Sequence, residues 1–455
     1  MERVHSPGLA HISYVLGDAG RAAVIDPRRD CDVYVAIARE QGARITHIFE
    51  THRNEDYAIG SVELAQLTGA RIYHGSQLPF TYGNPVAEGD SFDLGSLRLT
   101  VLSTPGHTDE SISITMADLD FSQEPLAVFT GDVLFVGDVG RTDFFPDRPE
   151  EVAGLLYDSI FAKLLPLGDH VLIYPAHGAG SVCGAHMASR EVSTIGYERR
   201  HNRILQMTDR DEFVRFKVAE HHYIAPYFRR MEKYNLEGTP PASEAAQPEP
   251  CTADDFAASM EEGMLVVDVR DPEAFGGGHI PGSFSIPLDT VPVFAGYLLP
   301  YDQPIGLVVE YPEQARTARQ HLLRIGYDHA VAYLHNGMHA WQVSGREFET
   351  LPQVHVGKLK DRMDRGDEFA LLDVRSKSEF DAGHPPGAVN IYVGELPQRL
   401  AEVPAERPIT CFCGSGIRAM VAASVLRRND VQQVENCLGS MMAWAATGGP
   451  IVTED

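Results

Sequence analysis

The sequence contains few cysteines. Six occur in 455 residues, and no two of them have the CxxC spacing. They are too few and too irregularly spaced for the disulfide framework of a small secreted protein. The N-terminal segment also lacks the basic stretch followed by a long apolar one that a signal peptide needs. The sequence therefore predicts a protein of a reducing compartment, and we expect the cytoplasm.

Basic residues and long apolar runs are also scarce. The chain has 38 Lys and Arg against 64 Asp and Glu, which gives a formal net charge of −26. Because a phosphate backbone is bound by a basic surface, nucleic acid is not an expected partner. No run approaches the ~18 apolar residues of a membrane span, so the sequence predicts no membrane segment.

The length indicates several domains. At roughly 150 residues per domain, 455 residues correspond to about three domains. A stretch rich in Pro, Ala, Ser and Glu has the composition of a linker. Downstream of it, LVVDVRDPEAFGGGHIPG around Asp268 matches LLDVRSKSEFDAGHPPG around Asp373, which indicates an internal repeat. The predicted division is a first domain over 1–236, a linker over 237–250, and two related domains over 251–350 and 351–455.

Short apolar runs have a different rhythm in the two halves. Upstream, strand-like runs such as HISYVL, ITHIFE and LRLTVLS follow one another closely, with helices predicted over Tyr34–Gln41 and Ser61–Leu67. This pattern is typical of a two-sheet sandwich flanked by helices. Downstream, runs such as LLDV and PITCFC alternate with helical segments such as RAMVAASVLRR, which indicates parallel sheets. The predicted fold class is α/β and multidomain.

Four polar stretches in the first half each follow a predicted strand. They are THRNEDY from Thr51, TPGHT from Thr104, TGD from Thr130 and PAHG from Pro175. Loops that are placed by a rigid sheet can converge although they are far apart in sequence. The order and wording of these stretches resemble the metallo-β-lactamase superfamily over about residues 1 to 235, which implies an αββα sandwich.

This sequence departs from the first motif of that superfamily, HxHxDH. His52 and Asp56 are kept, but Asn54 and Tyr57 stand where the second and third histidines belong. A dinuclear zinc hydrolase of the superfamily uses both of those imidazoles, so a two-zinc site is not expected. The remaining set is two imidazoles and one carboxylate, which is the ligand set of non-haem Fe(II) oxygenases.

The residual set resembles the persulfide dioxygenase branch of the superfamily. That resemblance implies one mononuclear Fe(II), with Zn as the alternative, held by His52, His107 and Asp132. Asp56, Tyr57 and His177 are expected around these ligands, because ligating groups need partners that orient them. The stretch GRTDF resembles the substrate-binding segment of the branch and predicts substrate contacts for Arg141 and Asp143.

The second repeat contains a loop with the pattern CxxGxR between a predicted strand and a predicted helix. Backbone N–H groups, the helix dipole and the arginine would stabilise a thiolate or a persulfide there. The loop resembles that of rhodanese domains, and the resemblance covers both repeats. It implies that Cys413 accepts a sulfane sulfur. The predicted substrate-binding residues of the loop are Gly414, Ser415, Gly416, Ile417 and Arg418.

Two other positions lack the features that predict a reactive thiol at Cys413. Cys411 lies within the strand and is expected to be a small buried hydrophobe. In the first repeat, Glu310 and Tyr311 stand about where the nucleophile belongs, and no cysteine occurs between Cys251 and Cys411. The first of the two rhodanese-like domains is therefore predicted to be inactive in sulfur transfer.

The three-part order resembles bacterial fusions of a persulfide dioxygenase with an inactive and then an active rhodanese domain. The resemblance implies sulfide detoxification: O2 oxidises the persulfide of a small thiol, of the glutathione or coenzyme A type, to sulfite, and the rhodanese forms or uses thiosulfate. The alternative enzyme is a zinc-dependent thioester hydrolase of the glyoxalase II kind with an accessory rhodanese. A non-catalytic sulfur-carrier scaffold is the third hypothesis. The thiol carrier, the direction of the rhodanese reaction and a homo-oligomeric state are left open.

Overall fold

The structure is a computed structural model that describes residues 1–184 and 187–453. The chain divides into two units. The first is Met1–Glu244 together with Leu323–Gly326, and the second is Ala245–Leu322 together with the residues from Tyr327 onward.

The first unit contains two six-stranded sheets, each with its strands in sequential order. One sheet consists of β1 (Glu2–Ser6), β2 (His11–Asp18), β3 (Arg21–Ile25), β4 (Arg44–Phe49), β5 (Arg71–Gly75) and β6 (Asn84–Val86). The other consists of β7 (Ser91–Leu94), β8 (Leu97–Ser103), β9 (Ile112–Asp118), β10 (Ala127–Gly131), β11 (Leu172–Pro175) and β12 (Ser193–Thr194). The helices are α1 (Asp32–Glu40), α2 (Ser61–Thr68), α3 (Pro149–Asp158), α4 (Ile195–His201), α5 (Arg210–Ala219) and α6 (Phe228–Glu237).

Alternation along the strands divides the first unit into layers. In β2, Tyr14 and Leu16 pack between the two sheets, whereas Val15 faces outward to the layer that contains α1 and α2. This follows from the two-residue period of a strand, which sends successive side chains to opposite faces. The outer face of the second sheet packs against α3 and α5 through Val128, Leu156 and other apolar side chains. The predicted αββα sandwich is confirmed.

The second unit contains two five-stranded sheets in which all strand pairs are parallel. The first is built from β13 (Glu249–Cys251), β14 (Leu265–Asp268), β15 (Phe284–Ser285), β16 (Ile305–Val308) and β17 (Ala330–Leu334), in the order β13-β17-β16-β14-β15. The second repeats this order with β18 (Gln353–His355), β19 (Ala370–Asp373), β20 (Val389–Asn390), β21 (Ile409–Phe412) and β22 (Val434–Leu438). The predicted parallel sheets and the internal repeat are confirmed.

Helices connect the parallel strands of the second unit. The first sheet has α7 (Ala253–Glu261), α8 (Pro272–Gly277), α9 (Val291–Leu298), α10 (Pro312–Arg324) and α11 (Gly337–Val343). The second has α12 (Val356–Arg365), α13 (Lys377–Ala382), α14 (Ile417–Arg428) and α15 (Ser440–Ala446).

The repeated phrase DVR has a structural role in both sheets. Asp268 ends β14 and accepts two hydrogen bonds from the guanidinium of Arg270, at 2.9 and 2.6 Å. Asp373 and Arg375 make the same pair at the end of β19. Because these groups are buried, each charge needs the other as its partner.

The predicted linker is partly structured. Helix α6 ends at Glu237, and β13 already begins at Glu249 as an edge strand of the first parallel sheet. An edge position tolerates Pro250, because its missing N–H faces away from the neighbouring strand. Across residues 1–184 and 187–453, the structure contains no helix with the length and apolar character needed to cross a membrane.

Candidate functional site

The structure brings the four polar stretches of the first unit together. THRNEDY follows β4 of one sheet, whereas TPGHT, TGD and PAHG follow β8, β10 and β11 of the other. Backbone hydrogen bonds connect these ends. The N–H of Ile112, at the start of β9, donates to the carbonyl of Thr51 at 2.8 Å and so joins the two sheets, and the N–H of Ala176 donates to the carbonyl of Gly131 at 3.0 Å within the second sheet. The site is therefore held by the ends of both sheets.

The three residues that the sequence predicts as metal ligands converge. The distance from Asp132 Oδ2 is 3.7 Å to His52 Nε2 and 3.6 Å to His107 Nε2. All three side chains are almost completely buried. Ligand atoms held about 2.0–2.2 Å from one metal ion lie ~3–4 Å apart, so this spacing fits a shared ion.

Hydrogen bonds fix which atoms of the three residues face the centre. His107 Nδ1 donates to the carbonyl of Arg141 at 3.0 Å, which leaves a lone pair on Nε2. Thr51 Oγ1 donates its proton in a hydrogen bond to Asp26 Oδ2 at 2.8 Å. It also lies 2.9 Å from His52 Nδ1, so it accepts a hydrogen bond from the N–H at Nδ1. Histidine ligands need this kind of partner on the second ring nitrogen. Asp26 was not found from the sequence.

His177 holds the carboxylate of Asp132. Its Nδ1 donates to Asp132 Oδ1 at 2.7 Å, which leaves Oδ2 to the centre, and its Nε2 lies 3.0 Å from Asp56 Oδ2. Burial alone would lower the pKa of His177, but the two carboxylates outweigh it and raise that pKa well above its usual value. The two carboxylates thus favour the protonated form of the ring that lies between them.

Tyr57 lies further from the centre. Its ring packs on that of His11, with centroids 4.0 Å apart, and its hydroxyl donates to the carbonyl of Asp26 at 3.4 Å. The centroid of the His177 ring is 6.4 Å away. A role for Tyr57 beside the ligands stays a prediction.

Arg141 and Asp143 form a pair beside the site. The guanidinium donates from Nε and Nη2 to the two carboxylate oxygens of Asp143 at 2.7 and 2.6 Å, and from Nη1 to the carbonyls of Val182 and Tyr223. Arg141 thus fastens two loops while its own carbonyl orients His107. Substrate binding by this pair stays a prediction.

The side chains fit a metal ion. His52 Nε2, His107 Nε2 and Asp132 Oδ2 are buried atoms without a hydrogen-bond partner. With the ring protons assigned above, each of them presents a lone pair. Buried lone pairs that face one another are unfavourable unless a cation lies between them. The site therefore has the character of a metal centre, as histidine and carboxylate ligands accept several divalent ions.

The second unit holds the predicted thiol loop between β21 and α14. The N–H of Gly416 donates to Cys413 Sγ at 3.1 Å, and the N–H of Cys413 donates to Ser440 Oγ at 3.1 Å. Gly416 has a φ of 106°, and a Cβ there would lie 3.2 Å from the carbonyl oxygen of Cys437. Glycine is therefore required for the turn that brings this N–H to the sulfur.

The other residues of the loop make contacts with neighbouring segments. The carbonyls of Gly414 and Ser415 accept from the backbone of Met442 and Gly439, and Ile417 begins α14. Arg418 donates to both carboxylate oxygens of Glu379 at 2.7 Å. Their predicted substrate contacts stay predictions.

Family models match both units of the chain. Residues 7–177 match the Metallo-beta-lactamase superfamily, and residues 252–344 and 355–447 each match the Rhodanese-like domain. A crystal structure of a metallo-beta-lactamase from Staphylococcus aureus is 32% identical, covers 73% of this chain and 98% of its own, and superposes with a TM-score of 0.65. The chain belongs to the metallo-β-lactamase superfamily. Its second unit adds two rhodanese-like domains.

Two curated relatives match the metallo-β-lactamase part. The mitochondrial persulfide dioxygenase ETHE1 of Bos taurus is 29% identical over 223 residues, which is 47% of this chain and 79% of the relative. Hydroxyacylglutathione hydrolase GloC of Haemophilus influenzae is 28% identical over 217 residues, which is 42% of this chain and 91% of the relative. Identity alone does not separate a dioxygenase from a hydrolase, so the site residues must do so.

Two further side chains reach the metallo-β-lactamase site, and the sequence reasoning missed both. Glu55 Oε2 lies 3.5 Å from His107 Nε2. The buried thiol of Cys183 lies within 4.8 Å of ligand atoms of Asp56 and His177. Burial raises the pKa of the Cys183 thiol well above its usual value. The positions of Glu55 inside the first motif and of Cys183 shortly after PAHG were the available signals.

The first rhodanese-like domain differs at the nucleophile. The N–H of Val269 donates to the carbonyl of Val308 as the N–H of Val374 donates to that of Phe412. The counterpart of Cys413 is therefore Val309, and the predicted positions, Glu310 and Tyr311, lie one and two residues too far along. The N–H groups of both donate to Gln314 Oε1, at 2.7 and 3.1 Å. This loop has neither a thiol nor free N–H groups at those two positions.

Proposed function

We propose that the protein is a non-haem iron persulfide dioxygenase joined to a sulfurtransferase, with His52, His107 and Asp132 as the iron ligands and Cys413 as the sulfur acceptor. The observation that carries the proposal is the ligand set. Two imidazole nitrogens and one carboxylate oxygen face one another without a hydrogen-bond partner, and Asn54 and Tyr57 replace the imidazoles that a second zinc needs. The persulfide dioxygenase relatives support the same reaction.

The reaction balances with one water. A thiol persulfide, O2 and water give the thiol and sulfite, so the terminal sulfur is oxidised and O2 is reduced. When bound, iron supplies the redox centre for this step. Hydrogen bonds at Nδ1 turn Nε2 of His52 and of His107 toward the centre, and His177 holds Asp132 with Oδ2 facing it. Burial of these groups excludes bulk water from the site.

The rhodanese loop would act on the product. Cys413 persulfide and sulfite give the Cys413 thiol and thiosulfate, in which the outer sulfur moves from cysteine to sulfite. The N–H of Gly416 stabilises negative charge on the sulfur that is left. We propose a first domain over 1–236, a linker over 237–250, an inactive rhodanese over 251–350 and an active one over 351–455. Cysteine usage supports a reducing compartment such as the cytoplasm.

The first experiment measures O2 consumption by the anaerobically purified, iron-loaded protein with glutathione persulfide and, separately, with coenzyme A persulfide. We expect rapid uptake with one of the two, and its loss in His107→Ala. His74→Ala is the matched control, because His74 is an equally buried histidine whose ring nitrogens contact the carbonyls of Gly75 and Tyr82 instead. No uptake with either persulfide, despite bound iron, would contradict the proposal.

Metal analysis and a thioester assay separate the alternative functions. Two zinc ions per chain with cleavage of a glutathione thioester would favour the hydrolase, and a chain that binds no metal would favour the scaffold.

Cys413→Ala should keep O2 uptake and release sulfite in place of thiosulfate. Cys411→Ala is its control, because Cys411 is buried within β21 and its pKa is raised by burial. An unchanged yield of thiosulfate in Cys413→Ala would exclude the coupling.

A further inference from the structure

Glu55 lies at the candidate metal centre, at a position of the first motif that the pattern HxHxDH leaves unspecified. Its side chain is buried, and its Oε2 lies 3.5 Å from His107 Nε2. Ligand atoms of His52, Glu55 and His107 all lie within 4.8 Å of one another. The carboxylate therefore stands on the same side of His107 as Asp132 Oδ2, which is 3.6 Å from that nitrogen.

The preceding residue explains why Glu55 points inward. Asn54 has a φ of 53°, a left-handed conformation that asparagine adopts more readily than most residues. Its Nδ2 donates to the carbonyl of His52 at 2.9 Å, and its own carbonyl accepts from Asn235 Nδ2 at 2.8 Å. Asn54 thus holds the loop, and the side chain that reaches the centre from this part of the motif is that of Glu55.

The protons available do not satisfy Glu55. The N–H at Nδ1 of His107 donates a hydrogen bond to the carbonyl of Arg141. A neutral ring therefore presents the lone pair of Nε2 to Glu55 Oε2. That oxygen is buried and has no hydrogen-bond partner. A proton on His107 Nε2 would satisfy this pair, but His52 Nε2 would still have no donor. One metal ion among His52, Glu55 and His107, whose ligand atoms lie within 4.8 Å of one another, would satisfy these three atoms together.

The other oxygen of Glu55 has a separate partner. Arg53 Nη2 donates to Glu55 Oε1 at 3.4 Å and to Glu232 Oε1 at 3.2 Å. This arrangement parallels that of Asp132, whose Oδ1 accepts from His177 while its Oδ2 faces the centre. Ligating carboxylates are held by such contacts.

We propose that Glu55 is a fourth protein ligand of the metal and binds through Oε2. The inference rests on the metal centre of the proposed function. The site then has two histidines and two carboxylates. In a six-coordinate ion, four protein ligands leave two positions for substrate and O2, whereas three ligands leave three. The additional oxygen also takes the place of an imidazole that the first motif has lost at Asn54.

The test uses Co(II) as the probe with the full-length chain, because its visible absorption reports the number and type of its ligands. Affinity is measured by competition with a chromophoric chelator, and the absorption bands are recorded for the wild type, Glu55→Gln and Glu55→Ala. The control is Glu50→Gln. Glu50 follows the last residue of β4 and is buried as completely as Glu55. Both of its oxygens accept from the Tyr82 hydroxyl, and burial raises its pKa to about 8.

We expect Glu55→Ala to bind Co(II) at least tenfold more weakly than the wild type and to shift its absorption bands. Glu55→Gln keeps the size of the side chain and should show an altered spectrum even where alanine disturbs folding. Glu50→Gln should match the wild type in both. Weaker binding with an unchanged spectrum would mean that Glu55 only orients His107 and would overturn the proposal, as would unchanged affinity. A wild-type chain that binds no Co(II) would overturn the metal centre itself.

Discussion

His177 offers the sharpest test of how the metal-facing carboxylate is held. Its ring lies between two buried carboxylates, 2.7 Å from Asp132 Oδ1 and 3.0 Å from Asp56 Oδ2. His177→Ala removes both contacts and leaves the two buried carboxylates without the ring that contacts them both. Breaking a buried charge pair in this way costs ~3–5 kcal/mol in the free energy of unfolding.

The same change should weaken metal binding. Loss of a group that orients a metal ligand reduces affinity by ~10- to 100-fold, which corresponds to about 1.4–2.7 kcal/mol. In the proposed site Asp132 would hold the ion through Oδ2, whereas His177 contacts Oδ1. We therefore expect the variant to bind the metal, but more weakly.

The two units can be followed separately in this assay. Both tryptophans, Trp341 and Trp444, lie in the second unit, so tryptophan fluorescence follows its unfolding in urea, whereas far-ultraviolet circular dichroism follows both units. His177 lies in the first unit, so His177→Ala should shift the unfolding transition seen by circular dichroism and leave the transition seen by tryptophan fluorescence unchanged. Co(II) affinity is measured on the same samples.

His74→Ala is the control, as a buried histidine of the first unit that contacts only backbone carbonyls through its ring nitrogens. It should destabilise the first unit without changing Co(II) affinity. If His177→Ala bound Co(II) within twofold of the wild type, the carboxylate would not depend on His177, and the reasoning would be refuted.

Three other predictions concern single positions. Gly106 directly precedes His107, and a Cβ at position 106 would lie 2.4 Å from the backbone of Leu156. Gly106→Ala should therefore lower both the melting temperature and the Co(II) affinity, and an unchanged melting curve would contradict this prediction. Burial opposes the ionisation of Glu379, but Arg418 outweighs it and lowers the pKa to about 2. This folded-state pKa lies below the ordinary value of 4.5 for a glutamate, so the stability that Glu379 contributes is present above pH 4.5 and lost as pH falls toward 2. The stability difference between wild type and Glu379→Gln should therefore shrink between pH 6 and pH 3, and a constant difference would argue against the pair. Val309→Cys, introduced into the Cys413→Ala variant, should not restore thiosulfate formation, because Gln314 Oε1 already accepts from the N–H groups of Glu310 and Tyr311. Measurable thiosulfate would show that the first rhodanese-like domain lacked only the thiol.

Much of the fold could be predicted from local pattern. The strand-like runs HISYVL and LRLTVLS correspond to β2 and β8, and the two copies of the repeated DVR phrase lie at the ends of β14 and β19. These signals are local because the side-chain period of a strand and the turn after it depend on neighbouring residues. The edge strand β13 was missed, because a strand of three residues with a proline has no such period.

The sequence alone determined the candidate ligand types, the missing imidazoles of the first motif and the absence of a cysteine in the first rhodanese-like domain. Tertiary structure decided how these groups are oriented. The inward direction of Glu55 depends on Asn235, the tautomer of His52 depends on Asp26, and Arg141 is paired with Asp143 inside the protein. Residue types are written in the chain, but proton positions and side-chain directions are set by partners that only folding brings within hydrogen-bond distance.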